Sequence, residues 1–310
     1  GGAVIDRASA QFGMRSFTQD TESPQRKGMF YLNGRSIRLR GANTMGFEQQ
    51  DVLRGDLPQL IDDILLAKLC NMNFLRLTQR PVQDEVYEYC DKLGLMTQTD
   101  LPLFGVMRRF RVPEGIRQAE ELARMVRKHP CNIVVSYINE PFPNANNEPH
   151  RHLIRPELEN FFTCCDLVVK LSNPDQVIKH VDGDYDPPTD GIPDTHCYPM
   201  WYNGHGIDIG RLHRGYWLPV KPGWYYGCGE YGAEGLDSAE VMEECYPREW
   251  LREPFDPGHI VRSQTKSFSG FFYDAQEDMQ GWISRSQRYQ AFAARMMTEA
   301  FRRDDRMVSN

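Results

Sequence analysis

Two glutamates in this 310-residue chain each close a run of strand-forming residues. Glu140 ends VVSYINEP and Glu230 stands in CGEYGAEG. One carboxylate at the end of a strand means little, because solvated loop acids are common. Two of them, each closing an apolar strand, suggest paired-carboxylate chemistry. One acid must stay protonated to donate to a leaving oxygen, while the other stays ionised beside a cationic sugar ring. Held about 5–5.5 Å apart, the ionised group attacks an anomeric carbon directly and configuration is retained.

The elements that would carry these groups alternate between strand and helix. Phe30 to Arg35 predicts a hairpin around Asn33-Gly34. Ser36 to Gly41 predicts a first core strand, with Asn43 and Glu48 in the loop beyond. A helix is expected after Asp56 as N-cap, with Pro58 in its first turn and Leu57, Leu60, Ile61, Ile64, Leu65 and Leu69 inward. Asn73 to Thr78 is the second strand. Val82, Val86, Tyr89, Cys90 and Leu93 mark the next helix, which stops at Gly94. Strands follow at 95–99, 134–141, 176–181, 195–198 and 224–228, with helices at 114–129 and 156–171 among them. A last helix shows Tyr289, Phe292, Ala293, Met296, Met297, Ala300 and Phe301 at helical spacing. Such alternation without a Gly-rich phosphate fingerprint favours a TIM barrel over an open doubly wound sheet. Seven strand units are counted. The barrel therefore either lacks its last strand–helix unit or begins an eighth strand at residues 307–310. Residues 1–28 are expected to be the tail of a preceding β-sandwich domain with its linker, and 29–310 the barrel.

Composition narrows the partners. Hydrophobic residues make up 40% and charged residues 25%, as in globular domains. Acidic side chains outnumber basic ones by 43 to 36, giving a net charge of -7 that disfavours nucleic acid. No apolar run approaches the roughly 20 residues of a membrane span, and the N-terminus does not read as a signal peptide. The eight cysteines form no C-x-x-C knuckle, so a structural zinc site is not expected. Cys70, Cys90 and Cys165 are expected to be buried free thiols.

At strand ends of such a barrel, where catalytic groups gather, lie Arg76, Asp100, Asn139, Glu140, His180, Asp182, Asp184, His196, Tyr198 and Glu230. The stretches FYLNGRSIRLRGAN, NFLRLTQRP, YEYCDKLGLM, VVSYINEP and CGEYGAEG resemble the catalytic barrel of glycoside hydrolase family 2 over roughly residues 10 to 305. That family includes β-galactosidases, β-glucuronidases and β-mannosidases. The resemblance implies Glu140 as acid/base, Glu230 as nucleophile and Asn139 as the partner of the sugar 2-hydroxyl. It also implies Arg76 as the arginine that keeps the nucleophile ionised, and Tyr198, in His196-Cys197-Tyr198, as a donor to the nucleophile. A carbohydrate substrate and a retaining, exo-acting β-glycosidase follow from it, with no cofactor and no metal. A homo-oligomer or companion domains outside this chain are also expected. The chain departs from the family at Asn43-Thr44-Met45-Gly46-Phe47-Glu48 and Thr78-Gln79-Arg80-Pro81, and it lacks the N-x-K signature of glucuronidases. These departures bear on the sugar and leave the two glutamates untouched.

Plainer roles compete at each position. Arg76 can neutralise Asp100 or another core acid. His196 can be a satisfied core histidine, and with His205 and His213 it is too loosely spaced to suggest a metal. Trp201, in the aromatic stretch with Tyr202 and Trp217, is either a sugar platform or core. Asp182 and Asp184 bind hydroxyls or cap the loop around Pro187-Pro188. Residues 302–306 are expected to be a solvated helix end. An endo-acting relative, or a non-catalytic carbohydrate-binding barrel, stands as the alternative function.

Overall fold

A computed structural model describes residues 4–183, 192–202, 214, 221–260 and 274–309. The chain divides into two compact units. One comprises 1–194, 220–227 and 309, and the other 195–219, 228–308 and 310.

The first unit opens with an antiparallel sheet of β1 (Phe17–Gln19), β2 (Phe30–Leu32) and β3 (Arg35–Ile37). Asn33 and Gly34 both take positive φ, 50° and 75°, as a two-residue hairpin turn of the expected kind requires. The first core strand is not 36–41. Arg35–Ile37 is spent on the hairpin, and the parallel sheet begins with β4 (Gly41–Thr44), which contains Asn43. Four more strands pair in sequence order: β5 (Phe74–Leu77), β6 (Met96–Asp100), β7 (Asn132–Asn139) and β8 (Val177–Asp182). Every pairing among them is parallel.

Helices α1 (Phe47–Arg54), α2 (Leu57–Leu69), α3 (Asp84–Leu93), α4 (Val112–Val126) and α5 (Arg155–Ser172) connect these strands. Asp56 caps α2 by accepting from the Gln59 N–H, and Gly94 ends α3 in the left-handed conformation. Glu48, expected in a loop, lies buried on α1. The inward face of α2 is Leu60, Ile64 and Ala67, whereas Leu65 and Leu69 face outward, Leu69 at 84% exposure. Leucine at so many positions hides the helix phase, and the small Ala67 marks where the sheet comes close. Leu75, Leu77, Val135 and Tyr137 from the strands pack with Ile64, Val86, Leu122, Phe161 and Phe162 from the helices. Cys90 and Cys165 are buried as expected, but Cys70, just past the end of α2, is exposed.

The second unit holds most of a three-stranded sheet ordered β11-β10-β9, from β9 (Asp194–Cys197), β10 (Tyr226–Tyr231) and β11 (Met307–Ser309). The segment expected to open an eighth strand is therefore a strand. Among the described residues its α-helices are α6 (Ala239–Cys245) and α7 (Met279–Arg302). Trp282 and Ile283 of α7 pack with Leu236, Met242 and Phe255, and Ala293, Met297, Ala300 and Phe301 are also buried. Phe292, expected inward, is exposed. The charged run after α7 is not wholly solvated, because Asp304 is buried and accepts from the Arg306 N–H at 2.9 Å. No helix among the described residues is long and apolar enough to cross a membrane.

Candidate active-site groups

Barrel interiors are ordinarily filled by branched apolar side chains. On the sheet of the first unit, the face turned from the helices carries charge instead. Register sets Arg76 of β5 beside Gln98 of β6, Asp100 beside Ser136 of β7, Ser136 beside Lys179 of β8, and Asn139 beside Asp182. Arg76, only 2% exposed, is the hub of this face. Its Nε donates to Asp100 Oδ2 at 2.8 Å and its Nη2 to Asn139 Oδ1 at 2.9 Å, while Nη1 lies 2.7 Å from Asp182 Oδ1. Gln98 Nε2 donates to both Asp100 (2.8 Å) and Asp182 (2.7 Å). Lys179 Nζ donates to Asp182 Oδ2 at 2.6 Å and stands 3.1 Å from Asp194 Oδ1, whose other oxygen accepts from the Gly183 N–H.

These contacts decide the protonation of the buried groups. Burial is the largest influence on Asp100 and raises its pKa. Arg76 pulls in the opposite direction, and the neighbouring Asp182 charge adds to the rise. Burial works against the Lys179 ammonium, but Asp182 and Asp194 outweigh it, so its pKa also rises. Near the C-terminal end of β4, burial raises the pKa of Glu48, whose Oε1 accepts from the Thr44 hydroxyl at 3.2 Å.

Glu140 follows β7 at a backbone φ of 44°, left-handed and costly for a residue with a Cβ. Hydrogen bonds hold it there. Its N–H donates to Asp182 O at 2.8 Å, the Asn139 N–H to Leu103 O at 3.0 Å, and the Gly105 N–H to Asn139 O at 2.9 Å. The Phe142 N–H then returns to Gly105 O at 2.7 Å. Gly105 itself has φ 67°, and a Cβ there would come within 2.6 Å of the Phe142 ring, so glycine is needed for this approach. The turn leaves the Glu140 side chain partly exposed, immediately after an otherwise wholly buried strand.

In the second unit, the Tyr198 hydroxyl donates to Glu230 Oε2, and His196 Nδ1 lies 3.5 Å from the same oxygen. His196 is buried and Glu230 only 16% exposed on its side chain. Trp201 meets Tyr198 edge-on at 5.5 Å and stacks on Tyr202 at 5.8 Å. The segment after Glu230 is fastened to α7. Gln290 Nε2 donates to Ala233 O at 3.1 Å, Gln287 Nε2 to Leu236 O at 3.0 Å, and the Leu236 N–H to Ser286 Oγ at 3.0 Å. Tyr231 also packs on Phe301 of that helix.

The expected site residues thus fall into two sets, Arg76, Asp100, Asn139 and Glu140 in one unit and His196, Tyr198, Trp201 and Glu230 in the other. The pairing of Arg76 with Asp100 weighed from sequence is present, and Asp182 and Asn139 join it. His180 does not belong to the polar face. Its Nε2 is 2.9 Å from Asp166 of α5, and its ring stacks on both Tyr137 and Phe162 on the helix side. Asp184, His205, His213 and Trp217 lie outside the described residues. Sequence reasoning missed Gln98, Lys179 and Asp194. The signal was a lone lysine inside VIKHVD, three positions before an aspartate.

Comparison with known proteins bears on the family and the fold. Residues 25–159 match the family profile described as glycosyl hydrolases family 2, TIM barrel domain. A β-galactosidase of Klebsiella pneumoniae is 27% identical over 140 residues, which is 41% of this chain and 13% of that protein. One from Yersinia pestis is 29% identical over 131 residues, 39% of this chain and 12% of the other. This chain therefore spans a small fraction of the length of these relatives. Among solved structures, the β-D-mannosidase of Dictyoglomus thermophilum superposes on the whole chain with TM-score 0.70, at 18% identity and over 39% of its own length. A β-glucuronidase of Bacteroides uniformis covers 96% of this chain with TM-score 0.60, at 19% identity and over 32% of its own length. The fold is a TIM barrel, and the segment that carries Arg76, Asp100, Asn139 and Glu140 matches the TIM barrel domain of glycosyl hydrolases family 2.

Proposed function

We propose that the protein is a retaining β-glycosidase, exo-acting at the non-reducing end of an oligosaccharide or glycoconjugate. Glu230 is the nucleophile and Glu140 the acid/base. In the first step Glu140 donates a proton to the leaving oxygen while Glu230 forms the glycosyl-enzyme bond. In the second, Glu140 withdraws a proton from water, and that water releases the sugar from Glu230. The observation that carries the reading is the Tyr198 hydroxyl on Glu230 Oε2, with His196 beside it. A nucleophilic carboxylate needs an orienting donor, and this one has it on the strand end where the GEYGA motif falls.

Asn139 supports the assignment of Glu140. Arginine only donates, so Asn139 must accept from Arg76 through its oxygen, which leaves its amide N–H groups for a sugar hydroxyl. A bond to the 2-hydroxyl that strengthens towards the oxocarbenium-like transition state contributes several kcal/mol in such enzymes. Trp201 and Asp100 complete the proposed substrate surroundings, Trp201 by apolar contact and Asp100 through Arg76. Neither a cofactor nor a metal is part of the mechanism, and companion domains are proposed for the remaining length of the relatives.

A panel of 4-nitrophenyl β-glycosides, followed by trapping with the matching 2-fluoro sugar, tests this reading. The fluorosugar is expected on the peptide containing Glu230, and labelling of any other carboxylate overturns the assignment of roles. Sugar binding without turnover of any glycoside supports the non-catalytic alternative.

A further inference from the structure

Lys179 is a buried lysine in the middle of β8, 5% exposed, with its ammonium on Asp182 beside Arg76. Burying an ammonium costs several kcal/mol, and an apolar side chain of similar volume generally serves packing as well or better. Its charge therefore has another use. On this face Asp100, Asp182 and Asp194 supply three carboxylates, and Arg76 and Lys179 supply two cations. Lys179 Nζ, at 2.6 Å, is as close to Asp182 as Arg76 is at 2.7 Å, so Asp182 is shared between the two cations.

We propose that Lys179 is a positioning residue for Asn139, acting through Asp182 and Arg76. By supplying half of the counter-charge to Asp182, it lets the Arg76 fork divide among three acceptors and keep Nη2 on Asn139 Oδ1. A planar guanidinium cannot be drawn fully onto one carboxylate without changing its angle to the others. Without Lys179, Arg76 is, among the described residues, the cation left facing these three carboxylates, and it turns towards Asp182. The Asn139 amide is then free to rotate and present its carbonyl where its N–H groups stood. The inference rests on the proposed function, in which those N–H groups meet the 2-hydroxyl of the sugar.

The test uses the full-length protein, the 4-nitrophenyl β-glycoside it hydrolyses fastest, and the 2-deoxy analogue of that substrate. Lys179→Met is expected to lower kcat/KM for the 2-hydroxy substrate by roughly ten- to a hundredfold, mostly in kcat, the size of one charge-assisted hydrogen bond. For the 2-deoxy substrate the loss is expected to stay within about threefold, because the contact being lost is not made there. Lys179→Arg restores the charge and most of the discrimination. Should Lys179→Met fail to fold, Lys179→Gln, which keeps a donor for Asp182, is read in the same comparison.

Equal losses on both substrates, or no loss on either, overturn the inference while leaving the proposed function standing. An unaltered protein that hydrolyses both substrates alike overturns the role of Asn139, and this inference with it. Failure of the unaltered protein to hydrolyse any glycoside overturns the function itself.

Discussion

Arg76→Met is the most demanding perturbation of this protein, because Arg76 is the point at which the charges of the first unit meet. The substitution keeps much of the side-chain volume and removes the contacts to Asp100, Asn139 and Asp182. Removing one partner of a buried ion pair costs about 3–5 kcal/mol, because the other is left charged and desolvated. Here Asp100 and Asp182 both lose Arg76, and Lys179 is left among those two and Asp194. Against a typical total of about 5–15 kcal/mol, the variant should be folded but marginal. The deficit must also depend on pH, with a definite sign. Burial raises the Asp100 pKa above its unfolded value, so this group weighs against folding while ionised, and the penalty fades as pH falls. In the variant the lowering influence of Arg76 is gone, and the pKa of Asp100 must rise further. Between pH 7 and pH 5, each proton that the folded variant takes up ahead of the folded parent narrows its deficit, by about 1.4 kcal/mol per pH unit at most. Urea unfolding of both proteins at the two pH values measures this. A deficit below about 1 kcal/mol at pH 7 would refute the buried-hub reasoning, as would a deficit unchanged on acidification.

Two further outcomes address the chemistry. Tyr198→Phe removes the hydroxyl that donates to Glu230 from a half-buried position that should tolerate the ring. The loss of a hydrogen bond to a charged group, about 1.5–3 kcal/mol, corresponds to a fall in kcat of about ten- to a hundredfold with melting temperature nearly unchanged. A fall below threefold would detach Tyr198 from the reaction. Glu140→Gln should lose most activity towards alkyl glycosides, whose leaving oxygen must be protonated, and far less towards 2,4-dinitrophenyl glycosides. Equal losses on the two would rule out Glu140 as the acid.

The punctuation of the barrel units was legible because each has a local physical signal. Asp56 caps, Gly94 stops, and Asn33-Gly34 turns, all for reasons confined to a few neighbouring atoms. The strand ends that carry Asn139-Glu140 and Glu230 were legible for the same reason, since an apolar run halting at a carboxylate is a local event. Helix phase was less so. Along α2 and α7, apolar residues occupy more than one face, so Leu69 and Phe292 point outward although their periodicity points inward. The hairpin took residues 35–37 from the expected first strand, because an antiparallel partner upstream completes it before the parallel sheet begins.

The charged face was the least legible part, and the reason is physical. Period-two alternation separates the two faces of a strand but does not say whether the polar one meets water or other polar groups. That rule leaves Gln98 and Lys179 undecided, and both are buried in contacts that link residues as far apart in sequence as 98 and 182. His180 errs in the other direction. It stands among residues that look functional, and the pleat turns it into the helix layer against Asp166. The groups proposed to act on a substrate lie where strands end, and the chain marks those places. Gln98 and Lys179, which bond Asp100 and Asp182, lie within the strands, where only the pairing of one strand with the next reveals them.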